Sequence, residues 1–216
     1  MGEIMRKWFL TVALLALVAG TAWSAPLEKP EVNRNIKFPT VSVSPFDGRA
    51  TLIEEGFEAS VPPAGWTIMT TGVDYTWDQT TSAANSGEAS AVVYYGAPGN
   101  FQDEWLVTPA LDASSYSSLT LEFAEAESYW ASYGLYHNIM VSTTVADDPG
   151  AFTAVATYTP SNHTIESWQM TEVDLSAYAG MSNVLFGFLG TSDWGYNCHI
   201  DDVTLWGITE GACIWD

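Results

Sequence analysis

Beyond Thr51 the chain is cut into short runs rich in Val, Ile, Leu, Thr and aromatic residues, each closed by a cluster of Gly, Pro, Asn, Asp or Ser. This punctuation constrains the fold most, because few of the runs are long enough or spaced correctly for an amphipathic helix. The runs that read as strands are Leu52–Phe57, Ala89–Tyr95, Glu104–Leu106, Ser118–Ala124, Tyr136–Thr143, Thr153–Tyr158, Trp168–Asp174, Asn183–Leu189 and Ile200–Trp206. Several alternate with period two: Leu119, Leu121 and Phe123 face one way while Thr120 and Glu122 face the other, and Val184, Phe186 and Phe188 repeat the pattern. Many short strands with turn signals between them predict an all-β fold, a β-sandwich of two antiparallel sheets spanning residues 51–216.

The N-terminal part reads differently. Arg6 and Lys7 precede an apolar run from Trp8 to Ala19, and small residues lead to Ala22-Trp23-Ser24. This is the order of a secretory signal peptide, residues 1–24, with cleavage after Ser24. The run is short for a membrane span, which needs about 20 apolar residues. Residues 25–50 hold Pro26, Pro30, Pro39 and Pro45 and read as an extended linker or arm, within which Ile36–Phe38 and Val41–Val43 have the composition of short strands. The expectation is a secreted protein, extracellular or held at the cell surface.

Charge narrows the partners. The formal net charge is −20, and after Arg49 there is neither lysine nor arginine, although 22 of the 26 acidic residues lie beyond it. Phosphate recognition rests on basic side chains, so nucleic acid is excluded as a partner. A carboxylate buried in residues 51–216 has no Arg or Lys there to pair with and must find hydrogen bonds or a metal ion. In an exported chain the two cysteines, Cys198 and Cys213, are expected to form a disulfide.

Six phrases then occur in a fixed order: Glu55-Gly56-Phe57-Glu58; Val61-Pro62-Pro63-Ala64-Gly65-Trp66-Thr67; Glu104-Trp105-Leu106-Val107-Thr108-Pro109; Leu119–Phe123; Val173 to Gly180; and Ile200-Asp201-Asp202-Val203. Together they resemble the cleaved-adhesin and choice-of-anchor J domains of bacterial surface and secreted proteins, relatives of the MAM-type jelly rolls. The resemblance covers about residues 52–207. It implies a jelly-roll sandwich with a structural calcium site where the first and last strands run side by side. On this chain that site falls on Glu58 and Asp201, with Asp202 turned to the other face by strand alternation. The Asp/Gly-rich loop that many members place after the Gly-Trp phrase is reduced here to Thr70–Asp78.

Tyr129, Trp130 and Tyr133 crowd one Ser/Gly-bearing segment, and Trp194 and Tyr196 another. Such rings stack on sugar faces or cover the ends of a sandwich core. Trp66 and Trp105 read as core or support positions. His137, His163 and His199 show no metal-ligand spacing. Glu122, Glu125 and Glu127 mix strand faces and carry no glycosidase signature, and no nucleophile elbow, zincin helix or phosphate loop occurs. The reading is a calcium-stabilised, non-catalytic binding or adhesion module for an extracellular glycan or surface protein. Its rival is a subunit that assembles with copies of itself into a fibre or matrix.

Overall fold

In the computed structural model the described residues are 49–70, 75–127, 136–159, 161–163, 165, 167–192 and 197–209. They fall within the compact unit Val43–Asp216. The signal segment and nearly all of the arm lie outside them.

The alternating runs become strands of two antiparallel sheets. The first sheet is built from β3 (Trp77–Thr80), β4 (Ser90–Val93), β11 (Cys198–Thr209), β6 (Tyr116–Glu127) and β9 (Gln169–Asp174), in that order, and β1 (Arg49–Glu55) also pairs with β11. The second runs β2 (Thr67–Met69), β5 (Gln102–Val107), β10 (Leu185–Ser192), β7 (Tyr136–Ser142), β8 (Thr153–Tyr158). β1 begins at Arg49, so the last basic residue belongs to the sandwich, its guanidinium 4.0 Å over the Trp206 ring. β2 and β3 were not legible as strands, because three or four residues are too few to show a period.

The apolar faces meet between the sheets. Leu119, Leu121 and Phe123 of β6 are fully buried against Leu106, Ile139 and Phe186 of the other sheet. Phe123 and Phe188 cross the gap edge to face, with ring centroids 5.1 Å apart. Each such side chain contributes roughly 1.5–3 kcal/mol by leaving water. Trp66 joins this core, whereas Trp105 lies on the far side of the second sheet, where Phe152 covers it at 5.2 Å.

The last strand is not regular. Opposite β6, Asp201 pairs with Ala124 but Thr204 pairs with Glu122, so three steps on β11 match two on β6. Asp202 absorbs the extra residue at φ 47°. Inward positions therefore switch from Cys198 and Ile200 to Val203 and Leu205.

Candidate functional site

The bulge decides how the expected cation residues are arranged. Both aspartates turn toward the loop before β4, which corrects the expectation that Asp202 faces the opposite way. Asp201, wholly buried, accepts the backbone N–H of Asn85 at 2.8 Å and of Ser86 at 3.2 Å through Oδ2, and that of Asp202 at 2.8 Å through Oδ1. Asp202 accepts the Asn85 amide at 2.7 Å and the Ser86 hydroxyl at 2.6 Å. Glu58 reaches the same loop two residues on, accepting from Glu88 N–H at 3.1 Å and Ala89 N–H at 3.3 Å. Gly87 lies between, at φ 62°, where a Cβ would stand 1.9 Å from Glu58 Oε1.

Calcium takes six to eight oxygens. Glu58, Asp201 and Asp202 suit it in kind: hard carboxylate oxygens from the segment after β1 and from the β11 bulge, gathered on one loop. Burial pushes the Asp201 carboxyl up against the pull of its three N–H partners. In the present arrangement the oxygens serve the loop's N–H groups, and the three carboxylates do not form a set within 4.8 Å.

Two other sets do, and the sequence reading missed them. Residues 121, 123, 125 and 127 share the inward face of β6, so Glu125 and Glu127 continue the row of Leu121 and Phe123 into the sandwich. His137, at the start of β7, points between them: Nε2 lies 2.9 Å from Glu125 Oε2 and Nδ1 lies 2.7 Å from Glu127 Oε1. His163, in the turn after β8, brings its Nε2 to 2.7 Å from Glu125 Oε1, which also accepts the Thr171 hydroxyl. Asn162 shapes that turn, with Oδ1 accepting the Thr159 N–H at 2.7 Å. Cys198 faces Glu127 across the β11–β6 pair. Glu104, also fully buried, stands across Gly190 from His137 in the second sheet.

The protonation states follow from this packing. Burial alone would discharge His137, yet the hydrogen bonds it donates to both glutamates hold its pKa up at about 9. Burial would likewise raise Glu125, but His137, Thr171 and His163 together keep it below the usual range. For Glu127 burial wins over His137 and the carboxyl is raised. Burial and the two glutamates push the Cys198 thiol up. His137 and His163 have no metal-ligand spacing in the sequence; strand pairing and the turn after β8 bring them to one carboxylate.

At the same end of the molecule an open cleft of about 440 Å³ is lined by Tyr75, Tyr94, Tyr95 and Asn197. Register explains the grouping. Val93, the last residue of β4, pairs with both Trp77 and Cys198, so the residues just outside those three strands converge. Tyr75 and Tyr95 are exposed, at 50% and 42%. Tyr75 meets Tyr94 edge to face at 6.1 Å. Beneath them Gln102, buried to 1%, donates to the carbonyls of Tyr75 at 2.9 Å and Tyr94 at 3.2 Å.

Of the other expected positions, Tyr129, Trp130, Tyr133, Trp194, Tyr196 and Cys213 lie outside the described residues. Cys198 carries a buried thiol. No helix among the described residues is long and apolar enough to cross a membrane.

No protein-family model matches the chain, and no curated protein matches its sequence. Solved structures do. The K3 cleaved adhesin domain of Lys-gingipain from Porphyromonas gingivalis w83 superposes with a TM-score of 0.57 at 22% identity, over 74% of this chain and 99% of that one. The K1 domain of the same protein gives 0.55 at 22% identity, over 72% and 97%. A structure of carbohydrate-binding modules from the β-sandwich superfamily gives 0.50 at 14% identity, over 70% and 60%. At these identities the likeness is one of fold. It bears out the jelly-roll sandwich and, at that level, the resemblance to cleaved adhesins.

Proposed function

We propose that the chain is an exported, non-catalytic binding module whose ligand is an extracellular glycan received by the tyrosine cleft. The observation that carries this reading is the cleft itself: two exposed rings and a third half-buried one beside an asparagine, fixed from below by Gln102. Aromatic faces pack on the apolar faces of sugar rings, and the tyrosine hydroxyls and the Asn197 amide offer hydrogen bonds to ring hydroxyls. The absence of Lys and Arg after Arg49 favours a neutral glycan over an anionic one. The fold shared with carbohydrate-binding modules supports the reading.

Affinity electrophoresis through a panel of soluble neutral polysaccharides tests it. We expect retardation by at least one, weakened about tenfold or more, or about 1.4 kcal/mol, by Tyr75→Ala or Tyr95→Ala. No retardation by any of the panel, or retardation unchanged in the double variant, would overturn the cleft as the site.

Calcium belongs to the same proposal as a structural ion. Glu58, Asp201 and Asp202 are the residues that would hold it, and it would supply the positive charge that Asp201 lacks. Bound there, it ties the end of β1, the bulge of β11 and the loop 85–89 together.

A further inference from the structure

We propose that Glu125, His137 and His163 form a second metal site, specific for a divalent transition ion of the zinc class, with Glu127 orienting His137. The site is separate from the carboxylates that suit calcium. Those lie at the β11 bulge, whereas this one lies between the sheets.

The donor set points to the ion. Two imidazole Nε2 atoms converge on one carboxylate, at 2.9 and 2.7 Å, and all three ligand atoms fall within 4.8 Å of one another. Two histidines and a glutamate suit zinc and its neighbours, while calcium takes oxygens alone. The surrounding groups are those that metal-binding histidines use. A ligating imidazole gives its other N–H to a carboxylate, which fixes the tautomer. Glu127 Oε1 occupies that position, 2.7 Å from His137 Nδ1. The Thr171 hydroxyl donates to Glu125 and so orients that carboxylate.

Charge supports the assignment independently. Glu125 and Glu127 are 0% and 4% exposed, and no lysine or arginine follows Arg49 in the sequence. Ionised groups at such depth are costly without compensation. A divalent ion among Glu125, Glu127 and the neighbouring Glu104, which is also 0% exposed, offsets more of this negative charge than one imidazolium does.

Access separates this set from the other one. Glu127, His137 and Cys198 also lie within 4.8 Å of one another, but all three are buried. At the proposed site the His163 side chain is 17% exposed, so this donor set is not wholly buried. Binding would fasten β6 to β7 and to the 159–163 turn, joining the two sheets. Three protein ligands leave a fourth position of a tetrahedral ion open.

The test uses the full chain, dialysed against chelator and titrated with zinc alone by calorimetry, with cobalt absorbance as a second readout. We expect one ion per chain. His163→Ala should weaken binding about 100-fold or more, Glu127→Gln about 10–100-fold, and Cys198→Ser should leave it unchanged. Calcium in excess should not compete. His163→Gln, a milder change in an exposed turn, repeats the test if the alanine variant does not fold. No zinc binding, wild-type affinity in both His163 variants, competition by calcium, or loss of binding in Cys198→Ser would each overturn the site as assigned.

Discussion

Gly87 shows how closely single positions are determined. Its φ of 62° strains any L side chain, and a Cβ there, 1.9 Å from Glu58 Oε1, would push the Glu58 carboxylate off the loop. Gly87→Ala should cost about 1–3 kcal/mol from the left-handed backbone alone. Urea melts measure this, and a loss below 0.5 kcal/mol (about half the smallest strain expected) would mean that the loop rearranges freely. Glu125 is the counterpart in the interior. In the zinc-free protein, Glu125→Ala removes the carboxylate that His137, His163 and Thr171 share. Removing one member of such a buried pair should destabilise by about 3–5 kcal/mol, read as a lower urea midpoint at unchanged slope. A change under 1 kcal/mol would show that water enters and replaces the carboxylate. Neither residue is conspicuous in the sequence. Glu125 and Glu127 look like solvated strand residues, and only the inward row of Leu121 and Phe123 places them in the core.

At the scale of elements, the bulge in β11 matters most. Strand alternation predicts that neighbouring aspartates diverge, and one extra residue at Asp201–Asp202 cancels that. The bulge anchors the loop at Asn85 and Ser86, so Asp201→Ala removes an acceptor for three backbone N–H groups. We expect a loss of about 1–3 kcal/mol together with earlier hydrogen exchange at Asn85 and Ser86; normal protection there would contradict the anchoring. The longer strands were legible because their apolar residues repeat at every second position. β2 and β3 were not, since pairing alone defines elements of three and four residues. β3 occupies part of the stretch that reads as a reduced calcium loop.

For the whole molecule, the calcium proposal has a thermodynamic signature. At 100 times its dissociation constant, an ion bound only to the folded state adds about 2.7 kcal/mol, or roughly 5–10 °C in Tm for a chain of this size. Melting with calcium and with chelator at fixed ionic strength reads it directly. A shift that persists in Asp201→Ala would move the ion elsewhere. Export has an equally direct check: the secreted protein should begin at Ala25, and an N-terminal sequence retaining residues 1–24 would remove the signal peptide. Assembly with copies of itself through the arm predicts that deleting residues 25–48 lowers the oligomeric mass on gel filtration. An unchanged oligomeric state would rule out assembly through the arm.

The sequence alone determined what local spacing can encode. Period-two alternation and turn residues gave an all-β sandwich, six ordered phrases gave its jelly-roll kinship, and the missing bases set the electrostatic problem of any buried acid. Tertiary structure decided how that problem is solved. His137, His163, Glu125, Glu127 and Cys198 span 74 positions of chain, and they meet because β6 pairs with β11 while β7 lies opposite in the other sheet. Tyr75, Tyr94, Tyr95 and Asn197 likewise share a cleft because three strands end together at Val93. Contacts of that kind depend on register and on a single bulge. Neither leaves a periodic trace in the sequence, because both are set by how separate segments pair rather than by the residues within any one of them.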